Sequence, residues 1–267
     1  MRTIDDDPTD GTDAHWEWLH PMRPERTWRP GGPGRPPGDV RRRRNGLLSR
    51  NQTGGQGRLV PKALGHWSPI EGSCPRWRRD GVWVRVLETR RQGARRWLGR
   101  QPAPAAGRRD SPRLKTAPPR EDVGVDGHNK LTGRQRPSLV ATLGLSMAVV
   151  VTSAATEARR GWVAWLRQSG AAGVTRRRHI WVEGASPAAW LEAWGRGVQP
   201  THTIAVEATT HQEGKGCHVL PWRWAVARTF AWRRNDRRPS RDAERLTTHS
   251  AAMSQMSLIR LLLNRWT

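Results

Sequence analysis

The chain has 267 residues, enough for one large domain or two small ones, but only 35% are hydrophobic and 27 Gly and 20 Pro interrupt it. With a mean hydropathy of −0.78, the composition lies near the limit at which apolar burial still offsets the entropy of folding. The 47 Lys and Arg against 23 Asp and Glu give a formal charge of +24, which predicts salt-sensitive attraction to polyanions, with nucleic acid as the default partner.

The first predicted element is a short capped helix within Thr9–Leu19, with Thr12 or Asp13 as N-cap and Trp16 and Leu19 on one face. The stretch WRPGGPGRPP at 28–37 reads as an exposed loop, because proline and glycine dominate it. Within it, Gly34-Arg35-Pro36 faintly resembles minor-groove arms that insert arginine, although a plain connector explains it as well. The basic run Arg41–Arg44, then Arg78, Arg79, Arg90, Arg91, Arg95 and Arg96, falls on helices and reads either as a phosphate grip or as a solvated face. Val82–Leu87 and Leu98 supply apolar positions to a helical N-terminal module ending near Gly99, and QPAPAAG at 101–107 reads as a linker.

Beyond the linker, short β-type runs alternate with helical patterns, as in a mixed α/β domain. Leu139–Leu143 and Leu145–Thr152 are expected to form a hairpin about Gly144. Ala155–Ser169 and Pro187–Gly195 read as helices, and His179–Glu183 and Thr203–Glu207 as strands. Trp222–Arg234 and Ser250–Trp266 read as helices, the second with Met253, Met256, Ile259, Leu262 and Leu263 on one stripe.

The aromatic inventory is lopsided, with 16 Trp, one Phe and no Tyr. Drift toward GC-rich codons would remove Tyr and Phe and enrich Arg, so it competes with nucleic-acid binding as the source of the charge; this is a hypothesis that the coding sequence tests. Cys74 and Cys217 form no CxxC pair and read as reduced, structural thiols. Asp5-Asp6-Asp7 is no signal-peptide n-region, and the apolar run 143–151 is too short to span a bilayer, which together predict a cytoplasmic protein.

The sharpest signal is PWRWAVARTFAW at 221–232, followed by NDRRPSRDAERLTTHSAAM and IRLLLNR. With HQEGKG at 211–216, TLGLSMAVVVT at 142–152, EDVGVDGHNKLTGR at 121–134, HIWVEGAS at 179–186, WRRDGVW at 77–83 and TDAHWEWL near the start, it resembles bacterial insertion-sequence DDE transposases of the type numbered five, over roughly residues 8–267. The resemblance implies an α/β, RNase H-like mixed-sheet catalytic core at 110–267, a helical DNA-binding-type domain at 8–100, and a linker with the start of the first core strand at 101–109. It also implies magnesium, double-stranded DNA as partner at inverted-repeat ends and at the target, no membrane, and cleavage followed by joining of the freed 3′ hydroxyl. A homo-oligomer on DNA and a place in the bacterial nucleoid are part of the same expectation.

Family members hold two divalent ions about 4 Å apart with three acids, which activate the attacking oxygen and stabilise the leaving one. Hard carboxylate oxygens suit magnesium. Asp110 matches the first acid and Glu183 the second, where the family has aspartate. Ala227 stands where the family has glutamate, and a methyl group offers a metal no lone pair. The resemblance therefore implies a degenerate, catalytically inactive copy. Glu207, Glu213 and Glu244 lie near in sequence, but rescue requires a particular helix face. Arg223, Arg228 and Arg234 match positions expected near DNA phosphates, with an exposed helix charge as the alternative. Arg108 and Arg109 replace apolar residues in the strand leading to Asp110, and Ala141 replaces an aspartate after Leu139-Val140, so marginal stability is expected.

Overall fold

A computed structural model describes residues 10–22, 38–116, 118–157, 160–163, 165, 179–183, 189–190, 192–193, 205–209 and 223–266. The 28–37 stretch with Gly34-Arg35-Pro36, the HQEGKG motif with Glu213, and Cys217 lie outside the described residues.

The first helix, α1 (Asp13–Leu19), starts where expected: Thr12 accepts from the His15 backbone N–H, and the His15 side chain accepts from the Thr12 N–H. Asp39 caps α2 (Val40–Thr53), which stops at Gly54 in the left-handed conformation, φ 73°. Helices α3 (Trp67–Arg79) and α4 (Val82–Trp97) are joined through Asp80 and Gly81. Along α4, Val82, Trp83, Val86, Leu87 and Ala94 are buried, the spacing of one apolar stripe.

That stripe is covered from the far end of the chain. Helix α4 packs on the last helix, Thr247–Arg265, so both ends of the chain share one apolar cluster. In it Leu47, Ile70, Trp83 and Val86 join Met253, Met256, Ile259, Leu262 and Leu263, together with Leu145 and Val149. All five residues of the anticipated C-terminal stripe are buried.

The main sheet has β1 (Ala106–Asp110) at its centre. On one side β5 (Ser138–Ala141) and β6 (Ser146–Val149) run as an antiparallel hairpin, which turns at Gly144, φ 78°. On the other side β8 (His179–Glu183) is parallel to β1, and β9 (Ala205–Thr209) is parallel to β8. A second sheet, from a segment not anticipated as β, contains β2 (Arg113–Lys115), β3 (Gly124–Asp126) and β4 (Leu131–Gln135), with β7 (Thr152–Ser153) on β4. A second apolar cluster covers the main sheet, with Leu139, Met147, Ile180 and Val182 against Trp162 and Trp165. The chain is thus mixed α/β.

Three further helices end the chain: α5 (Arg223–Arg234), α6 (Arg237–Ser240) and the long α7 (Thr247–Arg265). Helix α5 lies against β1 and β5. Arg108 and Arg109 are buried in β1, as the sequence led one to fear, and Arg109 stacks on the Trp162 ring with its guanidinium 4.8 Å from the centroid.

The second sheet and the C-terminal helices are tied by a buried ionic network. Arg134 and Asp242, both with fully buried side chains, approach to 3.3 Å, and Arg134 also donates to the carbonyls of Glu244 (2.8 Å) and Arg245 (2.9 Å). Asn51 of α2 donates to Ser257 at 2.8 Å and to Asp236 at 3.3 Å, stitching α2 to α7.

Candidate functional site

The C-terminal ends of parallel strands are where open α/β sheets place ligands, most often where neighbouring strands change direction. Strand β1 ends on the same side of the sheet as its parallel neighbour β8 and has the antiparallel β5 on its other flank. Asp110 is its last residue, half-buried, and its carboxylate accepts a hydrogen bond from the Ser111 N–H at 2.7 Å.

Position 183 is the last residue of β8. The register pairs Arg108 with Trp181, so two residues further on Asp110 and Glu183 fall on equivalent rungs of adjacent strands. Side-chain placement at Glu183 lies outside the described residues. Ala227 is exposed in the first half of α5, the helix against β1 and β5. The backbone thus sets Asp110 and Glu183 at the ends of neighbouring strands, while Ala227, which carries only a methyl group, lies on the helix that packs against β1 and β5.

Neither described substitute acid is available. Glu207 accepts from the Trp181 indole and meets His179, each at 2.9 Å. Glu244 is buried and engaged by Arg238, with Arg50 at 3.9 Å. Among the described residues, no three His, Cys, Asp or Glu side chains gather into a metal site. A pair of divalent ions needs hard oxygen donors on both sides, and Ala227 offers none at its position.

The three arginines matched to DNA contacts differ in situation. Arg234 is exposed at the end of α5. Arg228 is half-buried between the rings of Trp224 and Trp232, 4.5 and 4.7 Å from their centroids, and donates to the Leu143 carbonyl at 3.0 Å. Burial first, and the nearby Arg265 second, lower its pKa. Arg223 has a described backbone at the start of α5 and a side chain outside the described residues. Beside them Thr229 donates to the Gly144 carbonyl at 2.6 Å, which pins α5 to the hairpin turn.

Of the basic residues earlier in the chain, several are neither phosphate grip nor solvated face. Arg90 donates to the Trp266 carbonyl at 3.0 Å and stacks over Trp18 at 4.5 Å, and Arg95 donates to the Gln101 carbonyl at 2.7 Å. Arg44, Arg90, Arg91 and Arg95 are all buried. The reading missed them because a long arginine buries its stem while its head finds internal carbonyls, and spacing alone does not reveal that partner. Arg96 and Arg100 remain exposed. No described helix is long and apolar enough to cross a membrane.

Comparison with known proteins gives one finding. Residues 12–87, which contain α1 to α3 and the start of α4, match the family described as "Putative transposase of IS4/5 family". No curated protein and no solved structure matches the chain. The matched segment includes two of the motifs that carried the resemblance, TDAHWEWL and WRRDGVW. Over residues 12–87, the chain is similar to the IS4/5 transposase family.

Proposed function

We propose that this chain is a DDE-type insertion-sequence transposase by descent that associates with DNA but no longer cuts it. The observation that carries the proposal is Ala227, exposed on the helix against β1 while Asp110 ends that strand. An RNase H-like core, with residues 110–267 as its extent and the helices of 8–100 as a DNA-binding unit, is supported by the sheet order. Its central strand ends in one acid, and the adjacent parallel strand ends in another at the equivalent rung. In the family, magnesium would supply Lewis acidity to the scissile phosphate, and here Ala227 stands at the position of one of the three acids that would hold it. What the residues present offer instead is charge, with Arg96, Arg100, Arg234 and Arg245 exposed toward a polyanion. A cytoplasmic, nucleoid-associated protein that holds inverted-repeat ends, as a homo-oligomer on DNA, follows from the same reading.

The test is strand cleavage of inverted-repeat DNA in magnesium. The unmodified chain is expected to leave the substrate intact, and Ala227→Glu combined with Glu183→Asp to recover partial nicking. Cleavage by the unmodified chain refutes the proposal. Competition binding at near-physiological salt separates retained preference for terminal repeats from purely charge-driven association. A second reading, a nonfunctional pseudogene product with little stable fold, draws on Arg108 and Arg109 in the central strand. A cooperative thermal transition in circular dichroism would reject it.

A further inference from the structure

We infer that the cavity beside the end of β1 is a phosphate-binding pocket, assembled by arginines from three separate elements. It has a volume of about 390 Å³ and is lined by Arg113, Arg136, Phe230, Arg233, Arg234 and Ser240, with no carboxylate among its lining residues. Its wall begins at Pro112, two residues after Asp110, whose carbonyl accepts from the Arg136 backbone N–H at 3.0 Å.

The rim arginines have ordinary surroundings. Arg113 pairs with Asp126, and Arg234 is exposed. The inner two do not. Arg136 is 2% exposed and Arg233 6%. Arg136 donates to the Pro239 carbonyl and, at 3.1 Å, to the Ser250 hydroxyl, with Asp242 at 3.9 Å, yet its Nε has no partner among the described residues. Arg233 donates from Nη2 to the Ser254 hydroxyl at 3.0 Å and lies 5.5 Å from the Phe230 centroid; its Nε and Nη1 have no partner among the described residues.

A buried cation without a counter-ion is strongly disfavoured. Burial, and then the charge of Arg136, push the Arg233 pKa down to about 9, and no carboxylate acts in the opposite sense. A guanidinium still keeps its proton at neutral pH, so an anion is the remaining way to relieve the deficit. Phosphate fits best, because its spread charge offsets both inner guanidiniums at once while its several oxygens meet the planar N–H fork of Arg234 at the rim bidentately, which a halide does not do. The cavity exceeds the roughly 30 Å³ share of a single water many times over, so a phosphate group enters with hydration to spare. The phosphate could be free or belong to a nucleic-acid strand, and the pocket would take the same group from either.

The experiment titrates inorganic phosphate into the full chain, following ³¹P line width and Tm, with chloride at matched ionic strength as control. Saturable broadening and a phosphate-specific rise in Tm are expected. Arg234→Ala, at the rim, should weaken phosphate roughly tenfold, the loss of one charge-assisted contact. Arg233→Met should abolish the phosphate response, and Arg234→Ala keeps the test readable if Arg233→Met does not fold. An equal response to chloride, or wild-type phosphate affinity in Arg234→Ala, would overturn the inference. Adding duplex DNA then identifies the source: displacement of bound phosphate assigns the pocket to a strand phosphate, and simultaneous binding assigns it to free phosphate. If the duplex fails to bind while phosphate does, the pocket stands and the DNA reading falls.

Discussion

Replacing Asp242 by asparagine removes a charge that two buried arginines share while leaving shape almost unchanged. Arg134 lies 3.3 Å from the Asp242 carboxylate and Arg136 lies 3.9 Å from it, with both arginine side chains at most 2% exposed. Each contact is worth about 4 kcal/mol at an effective dielectric constant of 20, before the relief of desolvating the carboxylate is subtracted. Breaking buried pairs in this way costs about 3–5 kcal/mol. Arg134 keeps the carbonyls of Glu121, Glu244 and Arg245 after the change, which places the expected loss near the low end, about 3 kcal/mol. Against a total stability of about 5–15 kcal/mol, that is a large fraction. Urea unfolding followed by tryptophan fluorescence should show the midpoint falling with the slope unchanged. A loss below about 1 kcal/mol would mean that the carbonyls alone solvate these arginines, and the network would not be ionic in any useful sense.

Three other outcomes follow from particular residues. Gly144→Ala should lose about 1–2 kcal/mol by chemical denaturation, because φ is 78° and a Cβ would come within 3.0 Å of Arg228 Nη2; an unchanged midpoint contradicts it. Cys74 should resist maleimide in the native state and label only on unfolding, since burial pushes its pKa up to about 12; peptide mapping by mass spectrometry reads this directly. Burial, then Arg44 and Arg90, lower the His15 pKa below 6.5, so the fold holds the ring neutral. Its contribution is present above pH 6.5 and is lost as pH falls from there through the lowered value. The protection factors of the first-turn amides of α1, corrected for the intrinsic pH dependence of exchange, should then fall, and protection that stays constant between pH 7.5 and 5 would exclude the effect.

Much of the fold was legible because its elements announce themselves locally. Thr12 caps α1, Gly144 turns the hairpin, and the spacing of Met253 to Leu263 marks the buried face of α7. Strand β9 runs on to Thr209, two residues past the expected end at 207, a boundary that a short apolar run does not define. The second sheet was invisible because its burial does not follow apolar alternation: Arg134, the least exposed residue of β4, is held by carbonyls and Asp242 that arrive from far along the chain. Likewise nothing local in α4 tells that the partner of Arg90 is the carbonyl of Trp266. The candidate acids were legible only through family resemblance, since a lone Asp-Ser pair has no distinctive spacing.

Among the described residues nine arginines are buried, so the formal +24 overstates what a polyanion can reach. The burial is not a by-product of charge on helices, because it falls on β1, on β4 and on the α4 face toward α7 alike. Each buried head needs an acceptor. Arg134 has carbonyls and a carboxylate, Arg109 a tryptophan face, Arg90 the Trp266 carbonyl; Arg233 has a single hydroxyl and a ring. The exposed Arg234, Arg237, Arg241 and Arg245 follow on from Arg233 in the chain, and Arg234 shares its cavity. Anion binding in this molecule is therefore best sought at one place, where unsatisfied buried charge and accessible surface charge meet beside the end of β1, rather than spread over the basic runs that composition alone would nominate.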